Sequence, residues 1–330
     1  MKDNQNAFHT NRNSEEQAGA KRRMARAPRL ILAVLLIASA LAAHAQILSD
    51  PQLLWWDKTG GTLSGWESYY GQIVRALNLS WQCGSGCSNV WKAVGADTQR
   101  VLWYNQTSGQ LSFWNLNQGD GVEGSQTLSW TCGPSCAQSW NLVGFGGQVP
   151  GDGIPGPTFV LWHNPTSGQL SFWLVDALGN VIKASYLSWQ CSLQSGCAKS
   201  WHVVGTGDFN SDGVPDVLWY NPTTGQLSVW LLSSLSTGQV IKAQSLSWTC
   251  SMETGCASTW KIVGVGDMNF DKNADVVWFN ASTGVISSWL TDKNGNVTGS
   301  QQMSWTCPPT NGCSQKWTPV GIVPGYQIIH

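Results

Sequence analysis

Twenty of the 21 tryptophans fall into five groups of four, and each group repeats the same internal order. The first members are Trp55, Trp103, Trp162, Trp219 and Trp278, separated by 48, 59, 57 and 59 residues. The second are Trp66, Trp114, Trp173, Trp230 and Trp289, and the third are Trp81, Trp130, Trp189, Trp248 and Trp305. The fourth are Trp91, Trp140, Trp201, Trp260 and Trp317, which leaves only Trp56 outside the pattern. A period of this length means stacked copies of one supersecondary unit, each unable to bury its apolar surface alone.

Each unit reads as four strands. The run Val217-Leu-Trp-Tyr-Asn221 is short, β-rich and apolar on both faces, as a strand between two packed sheets must be. It recurs at 101–105, 160–164 and 276–280, and in divergent form as Leu53-Leu-Trp-Trp-Asp57. Asn221-Pro-Thr-Thr-Gly225 then supplies a turn, followed by a strand at 227–230, a polar loop and a strand ending at Leu246-Ser-Trp248. Trp260-Lys-Ile-Val-Gly264 is the last strand, and no segment carries helical periodicity with caps. Four-stranded units at this spacing predict an all-β, five-bladed β-propeller. The part of the chain after residue 45 begins on the L-W-x-N-type strand (Leu53–Asp57) and ends with a W-x-x-V-G strand (Trp317–Gly321), so its C-terminal strand can complete the N-terminal blade. Such pairing closes the ring and removes free sheet edges, whereas a β-solenoid would not need complementary ends. The repeats run approximately over 46–90, 91–139, 140–200, 201–259 and 260–316, with a closing strand in 317–330, giving one domain over 46–330.

The cysteines obey the same period, one pair per unit. Cys83 goes with Cys87, Cys132 with Cys136, Cys191 with Cys197, Cys250 with Cys256, and Cys307 with Cys313. An even count with one pair per copy implies five local disulfides. No His accompanies the pairs and no C-x-x-C spacing occurs, which disfavours zinc and redox readings.

Two units carry oxygen donors at alternate positions ahead of the L-W-x-N strand. In Asp208-Phe-Asn210-Ser-Asp212-Gly-Val214-Pro-Asp216, positions 1, 3 and 5 offer side-chain oxygens, Val214 a carbonyl and Asp216 a returning carboxylate. Asp267, Asn269, Asp271, Asn273 and Asp275 repeat the set, with Lys272 where the first loop has Gly213. Hard oxygens at this spacing suit Ca²⁺, so two ions are expected.

The stretch 204–221, VGTGDFNSDGVPDVLWYN, resembles an FG-GAP/VCBS-type repeat, the unit of integrin-α-like propellers. The resemblance implies a propeller whose D-x-N-x-D-G-x-x-D loops bind calcium. Residues 95–101 keep only Asp97 of that loop, and 146–160 place Gln148, Pro150 and Gly156 at ligand positions, so no metal is expected in either unit.

A basic stretch (Lys21 to Arg29), an apolar run (Leu30 to Ala43) and Ala43-His44-Ala45 form the parts of a secretory signal peptide over 1–45, cleaved after Ala45. Met24 offers an alternative start. Residues 46–330 hold 11 Lys and Arg against 16 Asp and Glu, a net charge of −5, with no basic cluster for nucleic acid and no later apolar run long enough for a membrane span. A secreted or periplasmic protein is expected.

Flat aromatics beside Asn, Gln and Ser suit sugar rings, so lectin-like carbohydrate recognition leads; adhesion to a cell-surface or extracellular protein and polysaccharide degradation are the alternatives. Catalysis has little to stand on. Only Glu67, Glu123 and Glu253, with His163, His202 and His330, remain as acid–base candidates, and His163 replaces a packed Tyr or Phe. The repeated Trp sets are expected in the inter-blade core, and the Asn residues of the turns as turn formers. Tyr69 and Tyr70 fall outside the repeat, and the expected ligand surface is the face bearing the cysteine loops and Asn turns.

Overall fold

A computed structural model describes residues 50–57, 59–97, 100–116, 121–146 and 158–323. The leader segment with its cleavage site, and the ligand-poor loop around Gln148 to Gly156, lie outside them.

Among the described residues, twenty strands form five four-stranded antiparallel sheets, the blades of a five-bladed β-propeller. Blade I holds β1 (Gln52–Asp57), β2 (Thr62–Tyr69) and β3 (Gln72–Gln82). Blade II is β4 (Trp91–Ala96), β5 (Arg100–Asn105), β6 (Gln110–Leu116) and β7 (Val122–Thr127). Blade III is β8 (Asn141–Gly146), β9 (Thr158–Asn164), β10 (Gln169–Val175) and β11 (Val181–Tyr186). Blade IV is β12 (His202–Gly207), β13 (Asp216–Asn221), β14 (Gln226–Leu232) and β15 (Val240–Thr249). Blade V is β16 (Trp260–Gly266), β17 (Asp275–Asn280), β18 (Ile286–Thr291) and β19 (Val297–Gln302). The final strand, β20 (Trp317–Val323), pairs with β1 from Gln52↔Val323 to Asp57↔Trp317 and completes blade I. Strands β4, β8, β12, β16 and β20 adjoin one another in a closed inner ring.

The V-G of each inner strand has a specific job. Every inner strand bulges there, skipping Val204 between Val203 and Gly205, and Val263 between Ile262 and Gly264. The bulge sends consecutive apolar residues to opposite blade faces: Val203 packs at the III/IV boundary and Val204 at IV/V. The glycine then admits the next inner strand. A Cβ on Gly264 would lie 2.6 Å from Ile322 Cγ1.

The core is divided among five apolar clusters, one per blade boundary. Three Trp sets serve it as expected. The first is almost fully buried in all five blades, and the second and fourth are half-buried against the same clusters. The third is the exception, with 39% to 51% of each side chain exposed. Four rings line up across each boundary. Trp81 of blade I meets Trp114 of blade II at 5.9 Å, Trp114 meets Trp103 at 4.4 Å, and Trp103 meets Trp56 of blade I at 4.6 Å. The same relay runs through Trp130, Trp173, Trp162 and Tyr104, and through the other three boundaries. Tilted and edge-on pairs of this kind add to plain area burial.

The turns behave as their sequence dictates. Asn105, Asn164, Asn221 and Asn280, and Asp57 in blade I, each accept two backbone N–H bonds on one side-chain oxygen.

The cysteines pair within their own loops, as the spacing requires. Cys83 is bonded to Cys87 and Cys132 to Cys136, each pair four positions apart. Cys191 is bonded to Cys197, Cys250 to Cys256 and Cys307 to Cys313, each six positions apart. The two halves of a pair differ in burial. Cys83, Cys191, Cys250 and Cys307 are buried in the blade-boundary clusters. Their partners Cys87, Cys197, Cys256 and Cys313 are only partly buried and pack against the same clusters. In blade II, Cys132 and Cys136 are both partly buried. Contrary to the strand-only expectation, these loops contain short helical turns. Cys197, Cys256 and Cys313 each open one, Cys87 lies within Ser85–Ser88, and Cys136 lies within the longest, Gly133–Ser139. Cα atoms 5.0 to 5.1 Å apart across so few residues need a chain that folds straight back; a helical turn supplies this in the two four-residue pairs, and in the six-residue pairs a turn ahead of the second cysteine does so, with Gly196 N bonding Leu193 O, Gly255 N bonding Met252 O and Gly312 N bonding Pro309 O.

Candidate functional site

The two acidic loops occupy the β12–β13 and β16–β17 connections and share one construction. The second residue of each, Phe209 or Met268, is an anchor buried to 1% exposure. The ninth, Asp216 or Asp275, is fully buried. Asp216 Oδ2 accepts from Phe209 N at 3.0 Å and Oδ1 from Leu232 N at 2.9 Å, tying the loop start to the third strand. Asp275 repeats this with Met268 N and Thr291 N, both at 2.8 Å. Asp208 Oδ2 accepts from Gly213 N at 2.8 Å, and Asp267 Oδ2 from Lys272 N at 2.8 Å. Asn210 Oδ1 and Asn269 Oδ1 accept from the backbone of Asp212 and Asp271, and Val214 N and Asn273 N donate to the carboxylates of those same residues. All ten residues of the sequence-derived set therefore come together in two matched loops.

Both loops turn through left-handed backbone at positions 4 and 6. These are Ser211 (φ 60°) and Gly213 (φ 82°) in the first, and Phe270 (φ 64°) and Lys272 (φ 73°) in the second. Lys272 thus adopts the conformation that glycine serves in its partner loop, at a steric cost. Position 4 also reaches the next blade. Ser211 Oγ bonds to Asn273 Oδ1 in the second loop. The Phe270 ring lies 5.8 Å from Tyr69 and 5.3 Å from Tyr70, on the β2–β3 turn of blade I. Tyr70 is itself strained (φ 45°), and both tyrosines are exposed.

Burial pushes Asp216 up to about 7 and Asp275 up to about 8 and raises Asp208 and Asp267, with neighbouring carboxylates adding to the effect. Among the described residues, none of the six loop carboxylates forms an ion pair with a basic side chain. Nor does any group of three or more His, Cys, Asp or Glu side chains make a metal cluster by itself.

Blade II solves the same problem differently. Arg100 stands at the register position of Asp216, and its guanidinium bonds Asp97 Oδ2 (3.2 Å), Thr158 Oγ1 (3.0 Å) and the Asp176 carbonyl (3.3 Å). Sequence reading noticed the surviving Asp97 and overlooked this arginine, whose position one residue before Val101 was the available signal.

The third-set tryptophans are the other feature missed. They are not confined to the cysteine-loop face but bridge blade boundaries. Ser129, next to Trp130, accepts from Val181 N of blade III and donates its own N–H to the Gly179 carbonyl. Ser80, Ser188, Ser247 and Ser304 likewise cap the outer strand of the following blade. Each exposed indole is therefore held from two blades, with the next blade's second Trp as its backing.

Residues 200–232 match the FG-GAP repeat model. Comparison of the sequence with curated proteins finds no match. Among solved structures, similar folds include a lectin of Agrocybe aegerita described as recognising non-reducing terminal N-acetylglucosamine (10% identity, TM-score 0.45, 82% of this chain and 85% of that one). Apo AztD from Citrobacter koseri gives 7% identity, a TM-score of 0.33 and coverage of 83% and 98%. The dihydro-heme d1 dehydrogenase NirN gives 9%, 0.30 and coverage of 76% of this chain and 45% of that one. Likeness at these levels bears on neither ligand nor activity. The chain is a five-bladed β-propeller whose fourth blade carries an FG-GAP repeat.

Proposed function

We propose that the protein is a calcium-binding, non-catalytic carbohydrate-recognition module, exported to the periplasm or beyond after cleavage of its signal peptide. The ring of five half-exposed tryptophans carries the reading. Each indole is backed on one side by the second Trp of the next blade, yet 39% to 51% of its surface stays in water at the same place five times. A row of rigid, backed indoles presents flat apolar faces to the C–H faces of sugar rings, and five equivalent weak sites sum through avidity. The disulfides belong to an oxidising compartment. Among the described residues no helix is long and apolar enough to cross a membrane.

Calcium fits the acidic loops on the chemistry of their donors. Asp208, Asp212 and Asp216, with the Asn210 side chain and the Val214 carbonyl, would hold one ion; Asp267, Asn269, Asp271, Asn273 and Asp275 would hold the other. The ion would supply the positive charge that these mutually repelling carboxylates lack, stiffening the loops.

The test is a glycan array probed with the oxidised, folded protein in calcium and in EDTA, beside a variant with all five third-set tryptophans changed to Ala. Binding to one sugar class that the variant loses supports the reading. A blank array with folded protein overturns it and favours adhesion to a protein partner.

A further inference from the structure

The five-fold repeat is broken once on the outer strands. In every blade a serine stands two residues before the second Trp. Its partner on the outer strand is Asn78, Thr127, Ser245 or Gln302 in blades I, II, IV and V. In blade III the partner is Tyr186. All five positions are exposed, and four of them carry the polar side chain that contact with water favours. Tyr186 is 64% exposed, more than any tryptophan of the third set.

This ring is held in place. Its phenol stacks on the indole of Trp140, with centroids 6.4 Å apart and planes 28° apart. The strand end beneath it is clamped by the β14–β15 turn of blade IV. Ser185 Oγ donates to the Ser236 carbonyl at 3.0 Å, and a Cβ on Gly238 would lie 2.1 Å from the Tyr186 carbonyl oxygen. Tyr186 is therefore an exposed aromatic with a rigid aromatic backing, the same construction as the third-set indoles. Blade packing does not demand it, since the other four blades close with a polar residue at that point.

The register places Tyr186 beside the exposed indole of the II/III boundary. Ser171 pairs with Tyr186 on one side and with Trp162 on the other, and Trp162 belongs to the II/III cluster, so Tyr186 faces blade II. Two residues back along β11, a step of about 6.5 Å, Ala184 pairs with Trp173. Trp173 in turn backs Trp130 of blade II at 5.9 Å. Trp130 is the most exposed member of its set, and Ala184 is small and exposed, which leaves the wall between the two rings open. The II/III boundary thus offers two backed aromatic surfaces at positions where each other boundary offers one.

We propose that the II/III boundary is the principal sugar site and takes a chain of at least two linked pyranoses. One ring lies against Trp130 and a following ring against Tyr186, whose hydroxyl adds a hydrogen-bond donor and acceptor for the sugar. The other four boundaries take a single ring. The inference rests on the carbohydrate reading and ranks its five sites.

The test compares the full, oxidised protein with its Tyr186→Ser and Ser245→Tyr variants on an array of one- to four-unit chains of glucose, galactose, mannose and N-acetylglucosamine. The two variants exchange the residues of blades III and IV at an exposed position, so their melting temperatures should match wild type. Wild type should bind the two-unit chain of one sugar class at least about tenfold more tightly than its single unit. Tyr186→Ser should bring that chain down to the single-unit affinity and leave single-unit binding intact. Ser245→Tyr, on the blade IV face that meets Trp189 and Trp201, should add a second tight site in a calorimetric titration with the same chain. Equal wild-type affinity for one and two units overturns the inference while the repeated sites stand. So does a Tyr186→Ser protein with wild-type length dependence, or a Ser245→Tyr protein that gains no tight site. A blank array for wild type sinks the carbohydrate reading and this site together.

Discussion

Ser211 Oγ lies 2.7 Å from Asn273 Oδ1, so a hydroxyl on the acidic loop of blade IV is fastened to the loop of blade V. The same oxygen is 3.3 Å from the Lys272 carbonyl. Ordering the first loop therefore helps to order the second. A hydrogen bond of this kind contributes about 1 kcal/mol, roughly a fivefold change in an equilibrium constant. Ser211→Ala should weaken calcium binding at the second loop about fivefold in a calorimetric titration. Unchanged isotherms would show that the loops act independently.

The raised loop carboxyls set the sign of a pH effect. For Asp216 and Asp275 the folded values of about 7 and 8 lie above the ordinary 3.8, so the fold favours the protonated form. Their contribution to stability is present below about pH 4 and is lost as pH rises through 7 to 8. In EDTA, the melting temperature should fall between pH 5 and pH 8. Calcium should restore most of the loss. Asp50, raised to about 6 by burial and by the charge of Glu67, has no place in the loops, so recovery should stay incomplete. A flat EDTA profile would contradict this account.

Lys272 carries a steric penalty that Gly213 does not. Lys272→Gly should stabilise the calcium-free protein by roughly 0.5–1 kcal/mol, the strain relief of about 1–2 kcal/mol being offset in part by the freedom glycine gains when unfolded. Denaturant midpoints measured in EDTA would reveal it, and a loss of stability would refute the strain argument.

Gly264→Ala attacks the ring where blades V and I meet, since the new methyl would sit 2.6 Å from Ile322 Cγ1 and 3.0 Å from Ile322 N. Backbone on one side limits relaxation. The expected loss is roughly 1–3 kcal/mol in chemical denaturation, with the disulfides unaffected. A neutral substitution would mean that the inner strands can spread.

Most of the fold was legible because repetition supplies the comparison that a single sequence otherwise lacks. The Asn turns, the cysteine pairs and the β20–β1 closure each follow from a rule that names the residue type required. The two acidic loops were legible as a matched pair, since oxygen donors recur at the same alternate positions in both and the loops share one hydrogen-bonding plan. Two things were hidden. Trp130 and Trp162 are the same letter, and only the position of the neighbouring blade decides that one is 51% exposed and the other 1%. Arg100 was hidden for a related reason: its partner Thr158 is 58 residues away, and only the ring brings the two together.

The closure of blade I also imposes an order of events on synthesis. Gln52 is made early, yet its partner Val323 lies 271 positions later. Until that last strand arrives, blade I lacks its inner edge and the arc of blades II to V stays open at both ends, with Trp55 and Trp56 short of neighbours. The short-range disulfides can form beforehand, since each joins cysteines four or six positions apart. The ring itself cannot. Its assembly sets the late arrival of β20 against the stickiness of indoles left uncovered until then.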